Sequence, residues 1–136
     1  MRRAALAVLI ALLAGGAALL IGVASERQTF VVGLVLAAAG LPMLVVSRVH
    51  LGRAFSVMPR ATMLVTGGVY SRIPHPMFAF LDLALLGVVI ALRRQWLIVI
   101  WLGLVLAHVW AAKREAKVLE GAFGDAYRSY RARTWW

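Results

Sequence analysis

The sequence contains no cysteine. Disulfides, thiolate nucleophiles and Cys-based zinc or iron–sulfur sites are therefore excluded. Acidic residues are scarce as well: five Asp and Glu stand against 15 Lys and Arg, a net charge of +10 over 136 residues. Charged residues of both signs make up only 15% of the chain, too few to coat a core in water, which argues against a soluble globular enzyme. The excess positive charge does not point to nucleic acid. The basic residues sit between long apolar blocks, as cytoplasmic membrane flanks facing anionic headgroups do. Linkers, low-complexity segments and internal repeats are also missing. The two halves do not mirror each other, which argues against an inverted-repeat transporter.

What is present is apolar: 63% of residues are hydrophobic and the mean hydropathy is +0.88. A membrane helix needs about 20 apolar residues. Ala4–Ser25 gives 22 residues without a charge, Thr29–Ser47 gives 19, Pro76–Leu92 gives 17 with one acid, Asp82, and Gln95–Ala112 gives 18 with His108 near its end. The expected fold is all-α and integral to the membrane, one domain over residues 1–136 with four transmembrane helices at about 4–25, 29–47, 76–92 and 95–115. A cytoplasmic loop, 48–75, precedes the third helix, and a cytoplasmic amphipathic segment, 116–136, ends the chain. The first block is longer than the 7–15-residue apolar core of a secretory signal, so it reads as a membrane helix.

Charge sets the expected orientation. With both termini in the cytoplasm, the inner side holds Arg2, Arg3, Arg48, Arg53, Arg60, Arg72, Lys113, Arg114, Lys117, Arg128, Arg131 and Arg133, and the outer side holds Arg27, Arg93 and Arg94. Twelve against three is a strong positive-inside bias. In a bacterium this is a multi-pass protein of the inner membrane.

Periodicity fails across the loop. Gly67-Gly68 permits positive φ and a close approach to a ligand. Pro74 and Pro76 flank His75, and Pro76 suits the first turn of a helix, where its missing N–H costs nothing. His75 is thus held at a helix entry, beside free backbone N–H groups and the positive end of the dipole, a place suited to a carboxylate. A juxtamembrane loop whose His and Arg meet lipid phosphates is the plainer reading of the same residues. In the tail, Leu119, Ala122, Phe123, Ala126, Tyr127 and Tyr130 recur at spacings of three and four, an apolar-aromatic stripe on a basic helix at the membrane surface. Gly121 and Gly124 are expected to break or kink it.

Two stretches resemble the signatures of the integral-membrane methyltransferases that include isoprenylcysteine carboxyl methyltransferases and phospholipid N-methyltransferases. The first joins Leu51-Gly52-Arg53 to Leu64, Gly68, Tyr70, His75, Pro76 and Phe78. The family's Arg before the His is Pro74 here, with Arg72 two residues upstream, and the family's Gly after the aromatic is Phe80. The second comprises Glu115, Leu119, Phe123, Gly124, Tyr127 and Tyr130, with Ala116 in place of the second acid of a pair. The resemblance covers about residues 51–130.

It implies a membrane-embedded methyltransferase that takes S-adenosylmethionine from the cytoplasm and a lipophilic or lipid-anchored acceptor from the bilayer, without a metal. Tyr70, Arg72, His75, Pro76, Phe78, Glu115 and Tyr127 are the implied cofactor-binding residues. Glu115 would accept from the donor's ammonium, His75 or Arg72 would hold its carboxylate, and the aromatics would face the sulfonium or the adenine. Asp82 and His108 are substrate-side candidates. Asp82 could pair with an arginine, meet a cationic headgroup or tie two helices together. His108 shares a face with Glu115 and could orient it. No catalytic residue stands out. The alternative function is a non-catalytic accessory protein keeping the same fold. Four helices leave much apolar surface for lipid, a second copy or a larger membrane complex to cover.

Overall fold

The computed structural model describes residues 2–52 and 64–135, with side chains from Ala4 onward. The helices are α1 (Arg2–Val23), α2 (Glu26–Leu51), α3 (Pro76–Leu92), α4 (Trp96–Phe123) and α5 (Asp125–Arg133), with a short 3₁₀ turn, Gly68–Ser71, before α3. No strand occurs among the described residues. Arg53, Arg60 and the rest of the stretch between Gly52 and Leu64 lie outside the described residues.

Three helices, α1, α2 and α4, are long and apolar enough to cross a membrane. The 17-residue α3 is shorter, about 25 Å against the roughly 30 Å of a hydrocarbon core. Its bounds coincide with those read from the sequence. Those of its neighbours differ, for local reasons. α2 starts three residues before the expected 29, because Ser25 and Gln28 form a capping box: the Ser25 hydroxyl accepts the Gln28 N–H at 3.3 Å, and the Gln28 side chain accepts the Ser25 N–H at 2.9 Å. α4 runs on through the charged residues after Ala112, past the expected end at 115, and stops where Gly124 takes φ +48°. A change from apolar to polar side chains does not break backbone hydrogen bonds, whereas a positive φ does. The tail expected as one amphipathic segment is therefore the last two turns of α4 followed by α5.

The tightest packing joins α2 to α3. A Cβ added at Gly33 would meet the Gly87 carbonyl oxygen and, at 2.6 Å, the Ala91 nitrogen; one at Gly40 would meet the Ala84 nitrogen and Phe80 oxygen, both at 2.8 Å. Because 33 faces 87–91 and 40 faces 80–84, the two helices run antiparallel. Lipid supplies no hydrophobic force between helices, so small residues that admit backbone contact are what hold such a pair together. On the other side of α3, Ala14, Ala17 and Ile21 of α1 pack with Leu86, Val89 and Ile90 of α3 and with Ile98, Trp101 and Val105 of α4. Large side chains such as Val35, Val45, Val99 and Leu106 point outward and are 61–71% exposed, an apolar surface that a bilayer, not water, accommodates.

Arg93 ties the far end of this assembly. It ends α3 in the left-handed conformation, φ 54°. Its guanidinium donates to the Ala24 carbonyl at 2.6 Å, the Ile21 carbonyl at 3.2 Å and the Thr29 hydroxyl at 3.3 Å. The carbonyls left free at the end of α1 are thereby satisfied, and α1, α2 and α3 are fastened at one point.

Candidate active site

The opposite end is built on the α3–α4 hairpin, whose turn lies at Arg93–Gln95. In an antiparallel helical pair, residues equally distant from the turn face each other. Asp82 and His108 each lie thirteen residues from position 95, and His75 and Glu115 each lie twenty. The structure pairs them accordingly. His108 Nδ1 is 2.7 Å from Asp82 Oδ1, and His75 Nδ1 is 3.1 Å from Glu115 Oε2. The seven-residue spacing sets the pairs about 10 Å apart along the helices. His75 reaches across because it is the residue ahead of Pro76 and its side chain makes no capping bond to its own helix. Phe78 sits between the pairs: its ring stacks on His108 at 5.0 Å between centroids and lies 6.3 Å from His75. The Trp101 indole N–H donates to the Asp82 carbonyl at 2.8 Å, fixing the backbone beneath the inner pair.

Both pairs adjoin a cavity of about 1280 Å³. That is larger than the 300–1,000 Å³ typical of a site for one small molecule, so it has room for two reactants. Leu6, Leu9, Ile10 and Leu13 of α1, with Phe80 and Val105, form an apolar wall. Lys113, Arg114 and Lys117 of α4 and Arg128 and Arg131 of α5 form a basic mouth. Arg128 bridges Asp125 at 2.6 Å and Glu120 at 3.4 Å, closing the α4–α5 bend. Ala116 also lies on the wall, where its methyl group leaves space.

The implied cofactor residues separate into groups. His75, Phe78 and Tyr127 line the cavity. Glu115 does not; it stands beside His75 and holds its ring. Tyr70, Arg72 and Pro76 lie away from the cavity and serve the loop: Tyr70 and Pro76 are buried, the Tyr70 carbonyl accepts the Tyr130 hydroxyl at 2.7 Å, and the Arg72 carbonyl accepts the Trp135 N–H at 2.9 Å. His108 does not orient Glu115. Its partner is Asp82, and this bond, with no arginine in it, ties α3 to α4. The contribution of α1 was not legible, because that helix is apolar on every side and has no stripe marking one face.

The aromatic cluster of Tyr70, Tyr127 and Tyr130 is buried. Burial pushes the Tyr130 phenol up to about 12, with Tyr127 adding to the effect. Burial also raises Tyr70, helped by the Glu115 carboxylate, and raises Tyr127 against the opposing pull of Arg131. Tyr130 spends its proton on the Tyr70 carbonyl. Tyr127 lines the cavity, and its hydroxyl is buried with no hydrogen-bond partner among the described residues. Such a group costs about 1–3 kcal/mol, which a ligand's polar atom could recover.

Residues 28–126 match the phospholipid methyltransferase family. The chain belongs to this family. No curated protein and no solved structure gives a significant match. The phospholipid methyltransferase segment carries both imidazole–carboxylate pairs, whereas the leucines of α1 and the orphan hydroxyl of Tyr127 lie outside it. The chain is thus a membrane methyltransferase by family.

Proposed function

We propose that this methyltransferase uses S-adenosylmethionine and acts on a lipophilic acceptor that reaches the cavity sideways from the bilayer. The observation that carries the reading is one cavity with two contrasting linings, apolar along α1 and basic at α4–α5, with Tyr127 of α5 among the lining residues. The residues fit the donor. The basic mouth and His75, whose ring Glu115 holds, suit a carboxylate, and Phe78 offers an aromatic face to a cation. Bound there, the donor supplies a methyl group made electrophilic by a sulfonium. The chain contributes position: orienting two reactants in a water-poor pocket can supply about 7–11 kcal/mol.

In this reading α3 is the fourth span, α5 lies on the membrane surface, and both termini face the cytoplasm, where the donor is made available. As in the isoprenylcysteine carboxyl methyltransferases that the chain resembles, the acceptor's tail stays in lipid. One observation favours a second reading, a non-catalytic member of the family: Ala116 stands on the cavity wall where the family signature has an acid. Calorimetric titration of the purified protein with S-adenosylmethionine, together with methyl incorporation from labelled donor into a lipid extract, tests both. Binding with incorporation supports the enzyme. Binding without incorporation supports the accessory role, and no binding refutes the donor assignment.

A further inference from the structure

The inner pair, Asp82–His108, is not needed to hold a donor at the basic mouth. It lies about 10 Å deeper, by the seven-residue step along each helix, and both side chains adjoin the cavity. Their side chains are 15% and 20% exposed, so each is largely shielded yet reachable. A carboxylate can only accept a hydrogen bond, so Asp82 fixes the imidazole proton on Nδ1 and leaves the Nε2 lone pair free. Nε2 has no partner among the described residues. Phe78 stacks on one face of the ring and Trp101 pins the backbone of Asp82, so the imidazole is held in one orientation. An acid and a histidine at this depth are expensive in a membrane protein unless they are used.

We infer that His108 is the general base of methyl transfer, with Asp82 its positioning residue, and that the acceptor is therefore a lipid whose reacting nitrogen or oxygen carries a proton, not a carboxylate. This rests on the methyltransferase reading above. His108 Nε2 takes the proton from the acceptor's X–H, and Asp82 stabilises the imidazolium. The electron pair on X forms the new bond to the methyl carbon. The carbon–sulfur bond of the methylsulfonium donor breaks, and its electron pair stays on sulfur as a neutral thioether. The proton leaves His108 for water at the mouth. A carboxylate acceptor, already ionised at neutral pH, has no proton to give and leaves the pair without a catalytic task.

Three probes separate the sources of X–H: phosphatidylethanolamine, a long-chain alkylphenol and a prenylated cysteine carboxylate, each presented in nanodiscs with labelled S-adenosylmethionine. Wild type should methylate the amine or the phenol. His108→Gln should lower that rate about 10²–10⁴-fold while donor affinity by calorimetry stays within about threefold, which also shows that the variant folds. The loss should shrink with a fluorinated, less basic amine lipid. In the protein alone, ¹⁵N-histidine spectra should show His108 as the Nδ1–H tautomer, and Asp82→Asn should abolish that signature. Transfer by His108→Gln within threefold of wild type, methylation of the carboxylate probe alone, or an Nε2–H tautomer would overturn the inference. Failure of wild type to bind the donor refutes the methyltransferase reading and this role with it, whereas donor binding with an indifferent His108 refutes the role alone.

Discussion

Replacing Tyr127 with Phe should make the empty protein more stable and the liganded protein weaker. The hydroxyl is buried and has no partner among the described residues, and its residue lines the cavity. Phe keeps the ring, and with it the tilted contact to Tyr130 at 6.1 Å, and removes only the oxygen. Leaving a polar group buried without a partner costs about 1–3 kcal/mol, so the variant should gain that amount. At roughly 2–4 °C per kcal/mol for a chain of this size, the melting temperature in detergent should rise by about 2–12 °C. Titration with S-adenosylmethionine should show the opposite sign. Losing one neutral hydrogen bond of about 0.5–1.5 kcal/mol weakens binding roughly 2–12-fold. The stabilisation given by saturating donor should shrink accordingly. Scanning fluorimetry with and without donor reads both effects on one sample. A variant that melts lower and binds equally well would refute the reasoning, since the hydroxyl would then be supporting the fold and not waiting for a ligand.

Gly33→Ala should push α2 away from α3, because both nearest atoms are backbone; an overpacking cost of about 1–3 kcal/mol is expected in thermal unfolding, while Gly103→Ala, which meets nothing within 4 Å, should be silent. Ala116→Glu should place a carboxylate in the cavity and tighten donor binding if the family's second acid serves the ammonium; calorimetry decides, and unchanged affinity assigns that acid elsewhere. Alkaline pH should unfold the protein through its tyrosines. The Tyr130 value is raised from 10.0 to about 12, so its contribution is complete below pH 10 and is lost as the pH climbs towards 12, because the unfolded phenol ionises first. Tyr130→Phe should flatten that part of the stability curve.

Much of this architecture is visible in the order of residues. The apolar blocks, the stop at Gly124 and the proline-started α3 follow from local chemistry, which is why α3 begins and ends where expected. Ends governed by a reciprocal side-chain contact were harder. Ser25 and Gln28 look like ordinary polar residues until their three-residue spacing is recognised as a cap. His75 and Glu115 are forty residues apart and Asp82 and His108 twenty-six, so their pairing is a property of the α3–α4 register. That register could have been deduced by folding the sequence about Arg93–Gln95 and asking which polar residues coincide. The glycine seam was less accessible. Gly33 and Gly40 sit among many small residues, and only the approach of α3 distinguishes them from Gly15 and Gly16, which meet nothing.

The uneven fastening of α1 bears on how the proposed lipid acceptor would get in and out. Its second half is gripped: Ala14, Ala17 and Ile21 are buried, and Arg93 ties down its last carbonyls. Its first half has no buried residue among those described, yet it supplies the cavity wall through Leu6, Leu9, Ile10 and Leu13. Swinging that half outward breaks no interhelical hydrogen bond among the described residues and moves leucines from a protein surface into acyl chains, two environments of nearly equal polarity. The helix is a lever with its fulcrum at Arg93. Its loose arm flanks the cavity, where the acceptor tail of the proposed reaction would pass, and the tight arm keeps the Arg93 end of the bundle in register.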